Sequence, residues 1–335
     1  MGRLLYIDIL KGWSILCIVF LHFENGIIPG WMNAWIGFFM ISAFYFTSGW
    51  LAGINPKDIT VKELAKKRWK TLGKPYIYFS ILILAFDLFL MLLGHYDLNY
   101  IAREVYKTIT LRGIGTLWFL PALYGGEIIF RFLLNKKSIV LVIFAIILTL
   151  AYLHYYYIWL EKYRNISEIN QMIDAPFFTL RKILSAWPVI GIAYLISKHF
   201  NPLLKKCKTY IILIFGTIIT GVSIYQNGGF SPFSFGDFFP LISPVIGPLG
   251  LLLLAYPMKK GFIVNFLSFW GVNSLVMMVT HYSILLVICQ IIDQIIFHTT
   301  FFGIRTLIWF AITVIAEYPI VWFFNHKAKW MLGKS

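Results

Sequence analysis

The stretch Tyr6-Ile-Asp-Ile-Leu-Lys-Gly-Trp-Ser-Ile-Leu-Cys-Ile-Val-Phe-Leu-His22 decides the fold. It is apolar enough for a membrane helix, yet it carries charge at one end and a histidine near the other. Asp8 and Lys11 are three residues apart and share a helix face. Lys11 and His22 are three helical turns apart, so His22 falls nearly on the same stripe, roughly 16 Å away along the axis. Ionisable groups inside an apolar span are expensive and usually face a cavity or a partner. Taken singly, Asp8 and Lys11 read equally well as snorkelling interfacial anchors, and His22 as a packed polar residue. Their shared stripe favours function.

The rest of the chain continues this pattern. Its 335 residues are 59% hydrophobic and 19% aromatic but only 13% charged, with a mean hydropathy of +0.78. Soluble domains carry about 25% charged residues, so the composition points to a polytopic membrane protein. The net charge of +15 suggests nucleic acid at first sight. The basic residues sit in short loops between apolar runs, however, which is a signal of membrane orientation and excludes that partner. Cys17 and Cys289 fall inside apolar runs and Cys207 in a basic loop, so neither a disulfide framework nor a metal site is expected. No small-residue cleavage site follows the first apolar run, which is therefore expected to stay as a helix.

An all-α transmembrane bundle of about ten spans follows, each near the ~20 residues that cross the hydrocarbon. They run over 5–24, 31–52, 73–94, 115–134, 138–158, 178–198, 209–225, 237–257, 269–292 and 302–325. Pro240, Pro244 and Pro248 are expected to kink or break the eighth. The loops around 95–114 and 159–177 are short and mixed in charge, which leaves one membrane domain over 1–335 and no soluble domain. Arg3, the 57–74 cluster and Lys327 to Lys334 mark one side as cytoplasmic. Both termini are then inside the cell, in the inner membrane, with Lys11 toward the cytoplasm and His22 toward the outer face.

Four further features bear on chemistry. Lys66-Lys-Arg-Trp-Lys70, followed by Lys74-Pro-Tyr76, is first of all a topology signal. The same ammonium and guanidinium groups also suit a phosphate clamp. Phe44-Tyr-Phe-Thr-Ser-Gly49 has small residues that let helices approach closely, and Ser48 has a hydroxyl to offer a site. Thr116-Leu-Trp-Phe-Leu-Pro121 opens the fourth span, with Trp118 suited to an interfacial belt and Glu127 about two turns deeper. Asn273-Ser-Leu, with Thr280-His281 further on, lies in the ninth span, where a lone histidine is often a structural hydrogen-bonder. Asp87 and Glu317 are buried by position and unpaired by sequence alone.

Taken in order, these pieces resemble the acyltransferase-3 family of integral membrane acyltransferases. The closer likeness is to its branch of fucose O-acetylases and of the acyl-modifying protein of bacterial intercellular-adhesin synthesis. The matching pieces are Tyr6-Ile-Asp-Ile-Leu-Lys-Gly12 with His22, Phe46-Thr-Ser-Gly49, and Lys67-Arg-Trp-Lys70 before Pro75-Tyr76. Leu117-Trp-Phe-Leu-Pro121, Leu184-Ser-Ala-Trp-Pro-Val-Ile-Gly191, and Gly271-Val-Asn-Ser-Leu275 with His281 complete the set. The family sets ten residues between a basic residue and the span-1 histidine, and Lys11 and His22 fit. Its paired basic residues near span 3 fall on Lys67 or Arg68 and Lys70, with lysines in place of arginines. Many relatives have proline where this chain has Ser42.

The resemblance implies transfer of an acetyl or succinyl group from cytoplasmic acyl-coenzyme A to a hydroxyl of a cell-surface or lipid-linked glycan. The donor is a substrate, with no permanently bound cofactor and no metal. It implies His22 as catalytic residue, as general base or as acyl carrier, with Lys11 and Asp8 as a buried pair below it. It places the donor's phosphates on Lys67, Arg68 and Lys70. Ser48, Trp118, Glu127, Asn273 and His281 become substrate or support residues. A glycan or lipid-linked-sugar transporter also suits buried charges and a proline-broken helix, but no paired halves with matching interruptions occur. A non-catalytic membrane subunit of a polysaccharide-synthesis complex is a third reading.

Overall fold

The first apolar stretch forms a helix, α1, over Leu5–Phe23 in the computed structural model, which describes residues 3–231, 240–299 and 301–334. The chain divides into two compact units. One comprises Met1–Lys57 with Val189–Phe323, and the other Asp58–Pro188 with Phe324–Ser335. Among the described residues the secondary structure is helical throughout.

In the first unit α1 is followed by α2 (Gly30–Phe39) and α3 (Ser42–Ile54). Ser42 sits where these two helices break, and its hydroxyl donates to the Phe38 carbonyl at 3.0 Å. Gly49 explains the small residues of α3: a methyl there would lie 2.1 Å from the Ile190 carbonyl oxygen. The same unit holds α10 (Thr209–Asn227), α11 (Ser243–Ala255), α12 (Phe262–Val272) and α13 (Ser274–Thr280). A π-helical turn, His281–Leu286, then leads into α14 (Val287–Phe297). The closest helix contact is between α1 and α12. A methyl on Gly12 would sit 1.8 Å from the Leu267 carbonyl oxygen, and one on Gly271 1.8 Å from that of Asp8. Two backbones therefore touch where the sequence has glycine on both sides.

The second unit begins with α4 (Val61–Arg68), started by a capping box in which Thr60 and Glu63 satisfy each other's backbone N–H groups. A π-helical turn, Trp69–Gly73, joins α4 to α5 (Lys74–Leu92). Next come α6 (Leu98–Ile109), a 3₁₀ turn at Gly115–Trp118, α7 (Phe119–Lys136) and α8 (Ile139–Lys162). The long α9 (Glu168–Leu204) and α15 (Ile304–His326) complete the chain's helices.

Among the described residues nine helices are long and apolar enough to cross a membrane, and Ser243–Ala255 and Phe262–Val272 are shorter apolar helices. The sequence reading of ten spans is corrected at two places. The span read over 237–257 yields only the short α11, with Pro244 in its first turn and Pro248 inside it; positions 237–239 lie outside the described residues. The span read over 269–292 is broken at Asn273, whose side-chain amide donates to the Phe269 carbonyl at 2.9 Å and ends α12. The loop read around 95–114 is also structured. Asp97 caps α6, Lys107 pairs with the buried Glu104 at 2.5 Å, and the Tyr76 hydroxyl donates to the Thr108 carbonyl at 2.7 Å.

Candidate functional site

Two groups of candidate residues form, one in each unit. In the first unit His22 lies near the C-terminal end of α1, half-buried. Its ring faces two neighbours: His281 at 5.3 Å between ring centres and Tyr282 at 4.6 Å. His281 is fully buried and opens the π-helical turn. Such turns inside α-helices are frequent at functional sites, because the extra residue re-aims a side chain. The Nδ1 atom of His281 lies 2.5 Å from the Met277 carbonyl oxygen. A carbonyl only accepts, so Nδ1 carries the proton and Nε2 presents a lone pair. That Nε2 is buried and has no hydrogen-bond partner. The preceding Thr280 hydroxyl lies 2.6 Å from Glu317 Oε1, which ties the buried Glu317 to this helix.

The segment after His22 is organised by Glu24. Its carboxylate accepts from the Ile27 and Ile28 N–H groups at 2.9 and 3.2 Å and from the Asn33 amide at 3.2 Å. Asn25 adds a bond to the Phe301 carbonyl at 3.0 Å. Glu24, Tyr282 and the role of Glu317 escape sequence reasoning. The signal for Glu24 is its position two residues after His22, at the helix end.

At the other end of α1, Asp8 takes Arg3 as ion-pair partner at 2.6 Å, where the sequence points to Lys11. Arg3 precedes the helix and reaches back onto its first turn, where an acid is favoured by the helix dipole. Lys11 is half-buried on the same helix, and Ser48 is half-buried on α3. Asn273 occupies the helix break eight residues before His281.

The second unit brings Arg68 and Glu127 together. The guanidinium grips the carboxylate with both Nε and Nη2, the latter at 2.6 Å. Glu127 is almost fully buried, and Arg68 is 30% exposed. The buried acid of the fourth span thus has its counter-charge, and Arg68 is held in a fixed orientation with two of its five donors committed. Lys67 and Lys70 flank it and are exposed. Among the described residues neither has a carboxylate within ion-pair distance. Lys70 lies in the π-helical turn, and its carbonyl oxygen would be 1.8 Å from a methyl on Gly333. The C-terminal segment therefore packs against the backbone that presents this lysine, a support that the sequence does not advertise. Trp118 lies under the Lys182 ammonium, 4.4 Å from the ring centre.

Among the described residues no group of three or more His, Cys, Asp or Glu side chains is placed to hold a metal ion. A family model described as an acyltransferase domain, Acyl_transf_3, matches residues 4–326. No curated protein and no solved structure matches the chain.

Proposed function

The chain belongs to the Acyl_transf_3 family of acyltransferases, and from that membership we propose that it is a membrane O-acyltransferase using acyl-coenzyme A as donor and a glycan hydroxyl as acceptor. The acyl group is acetyl or succinyl, and the acceptor is a cell-surface or lipid-linked sugar, as in the fucose O-acetylase and adhesin-modifying branch. The reading rests on one observation above the others. His22, separated from Lys11 by ten residues, stands beside a second histidine whose spare nitrogen is buried and, among the described residues, unpartnered.

In direct transfer, His22 takes the proton of the acceptor hydroxyl as its oxygen attacks the thioester carbonyl. The tetrahedral intermediate then expels the coenzyme thiolate, which recovers the proton from the histidinium. In the relay alternative, a ring nitrogen of His22 first displaces the thiolate and carries the acyl group to the hydroxyl. His281, with its tautomer fixed by Met277, accepts a hydrogen bond on Nε2 and orients His22 or the sugar. Lys67 and Lys70 contact the donor's phosphates, and Arg68, oriented by Glu127, adds its remaining N–H donors. The basic side of the chain faces the cytoplasm, where the donor is made.

Mass spectrometry of surface glycans from cells with and without the gene tests this. Loss of an ester mass from polymer that is still exported is the expected result. Loss of the polymer itself would replace the enzyme by the transporter reading, which the helix break at Asn273 would then serve.

A further inference from the structure

Unit two contains a second concentration of charge that the proposed reaction does not use. Asp174 on α9 is completely buried and accepts from Arg112 Nη1 at 2.9 Å and from the Tyr156 hydroxyl at 2.5 Å. Arg164 Nε lies 3.3 Å from the same carboxylate. Two arginines already exceed what one carboxylate needs. Two more cations follow on the same helix, Arg181 and Lys182, and among the described residues neither has an ion-pair partner. They rest on aromatic faces instead. Arg112, Arg181 and Lys182 lie 4.5, 5.2 and 5.3 Å from the centre of one ring, Phe178. Arg181 also lies over Tyr156 at 5.0 Å, and Lys182 over Trp118 at 4.4 Å.

Cation–π contact holds a charge in place without cancelling it. Four cations around one carboxylate leave an excess of three positive charges in a region where three of them crowd a single ring. The hydrogen-bond inventory is also incomplete. The Nε atom of Arg181 is buried and, among the described residues, lacks a hydrogen-bond partner. Buried unpaired donors are rare in native structures and point to a missing acceptor such as an ion. Arg112 and Arg164 are 20% and 33% exposed, so the cluster is reachable from outside. Planar guanidinium forks beside an ammonium match the oxygens of phosphate better than those of a second carboxylate, and a diphosphate carries about the charge required.

We propose that Arg112, Arg164, Arg181 and Lys182, arranged around Asp174 and stacked on Phe178, Tyr156 and Trp118, bind a phosphomonoester or diphosphate group at a site distinct from Lys67 and Lys70. The ligand is either a soluble phosphate ester or a lipid whose headgroup carries the phosphate. Trp118 gives it an aromatic platform beside the charge.

The test uses the full-length protein in neutral detergent, titrated calorimetrically with inorganic pyrophosphate and, in a separate arm, with a polyprenyl diphosphate. The variant Arg181→Gln/Lys182→Gln is expected to weaken binding about tenfold or more in whichever arm binds, since two charge-assisted contacts are lost. Lys205→Ala/Lys206→Ala, an exposed basic pair outside both clusters, is expected to leave it unchanged. Binding of pyrophosphate identifies a soluble ligand as sufficient, whereas binding of the polyprenyl diphosphate alone identifies a lipid-borne one. If the double variant fails to fold, Lys182→Met keeps the stem and removes only the charge, with the same weakening expected. Absence of binding in both arms by folded wild-type protein overturns the proposal, as does undiminished binding by the folded variants. Equal loss of binding in the Lys205→Ala/Lys206→Ala variant would also overturn it, by reducing the effect to general surface charge.

Discussion

The histidine-bearing end of the first unit and the basic segment of the second carry opposite kinds of polar machinery. Around His22 the neighbours are the rings of Tyr282 and His281, and His281 has one nitrogen committed to the Met277 carbonyl. Around Arg68 the environment is saturated with charge, and the buried Glu127 fixes the guanidinium between two exposed lysines. The first arrangement suits moving a proton, since it offers a lone pair with little charge to oppose it. The second suits holding a polyanion, since its positive groups are displayed and one is pre-oriented. The difference teaches that a membrane enzyme can separate reactive groups from charged binding groups along its sequence. Four substitutions probe that separation, beginning with the helix contact beneath the histidine-bearing end.

The largest effect is expected at the glycine contact between α1 and α12. Gly12→Val or Gly271→Val forces apart two backbones that touch, at a cost of more than about 3 kcal/mol. Little monodisperse protein should be recovered from detergent extraction; normal yield and thermal stability would refute the close contact. Next comes Glu127→Ala, which strands the Arg68 charge. Because Arg68 is 30% exposed, about 2–3 kcal/mol is expected, less than for a fully buried pair. Thermal unfolding should fall accordingly, and the Arg68→Ala/Glu127→Ala double variant should be more stable than Glu127→Ala alone. Additive losses would remove the pair from the account.

Lys67→Ala/Lys70→Ala sharpens the comparison by acting on the donor alone. The apparent KM for acyl-coenzyme A should rise about tenfold with insertion and stability unchanged; an unaltered KM would return these lysines to topology signals. Asp8→Asn should do least. Its partner Arg3 is 61% exposed, and such pairs are worth about 0–1 kcal/mol. A large loss of activity in Asp8→Asn would show that Asp8 works with another group, Lys11 first among them.

Much of this architecture was legible in the chain. Apolar runs of membrane length locate the long helices because lipid demands continuous helical hydrogen bonding. The small residues of the stretch ending at Gly49 pointed to a real close approach, since such packing acts locally. Three things were hidden. The π-helical turns at Trp69–Gly73 and His281–Leu286 leave no compositional mark. The break at Asn273 comes from one side-chain bond to Phe269 inside an otherwise apolar run. The partners of Glu127, Asp174 and Glu317 lie 59, 62 and 37 residues away, and no local pattern encodes such pairings. Ser42 shows the reverse case, since the helices break there without a proline.

The central claim is that turnover depends on His22 and that His281 only orients. The measurement is glycan esterification in cells expressing equal amounts of wild type, His22→Ala and His281→Ala, with coenzyme A binding measured on each purified protein. The account predicts that His22→Ala loses about 10²–10⁴-fold in activity while still binding the donor, and that His281→Ala loses less. Near-normal esterification by His22→Ala together with an inactive His281→Ala would contradict it and move the chemistry to the π-helical turn.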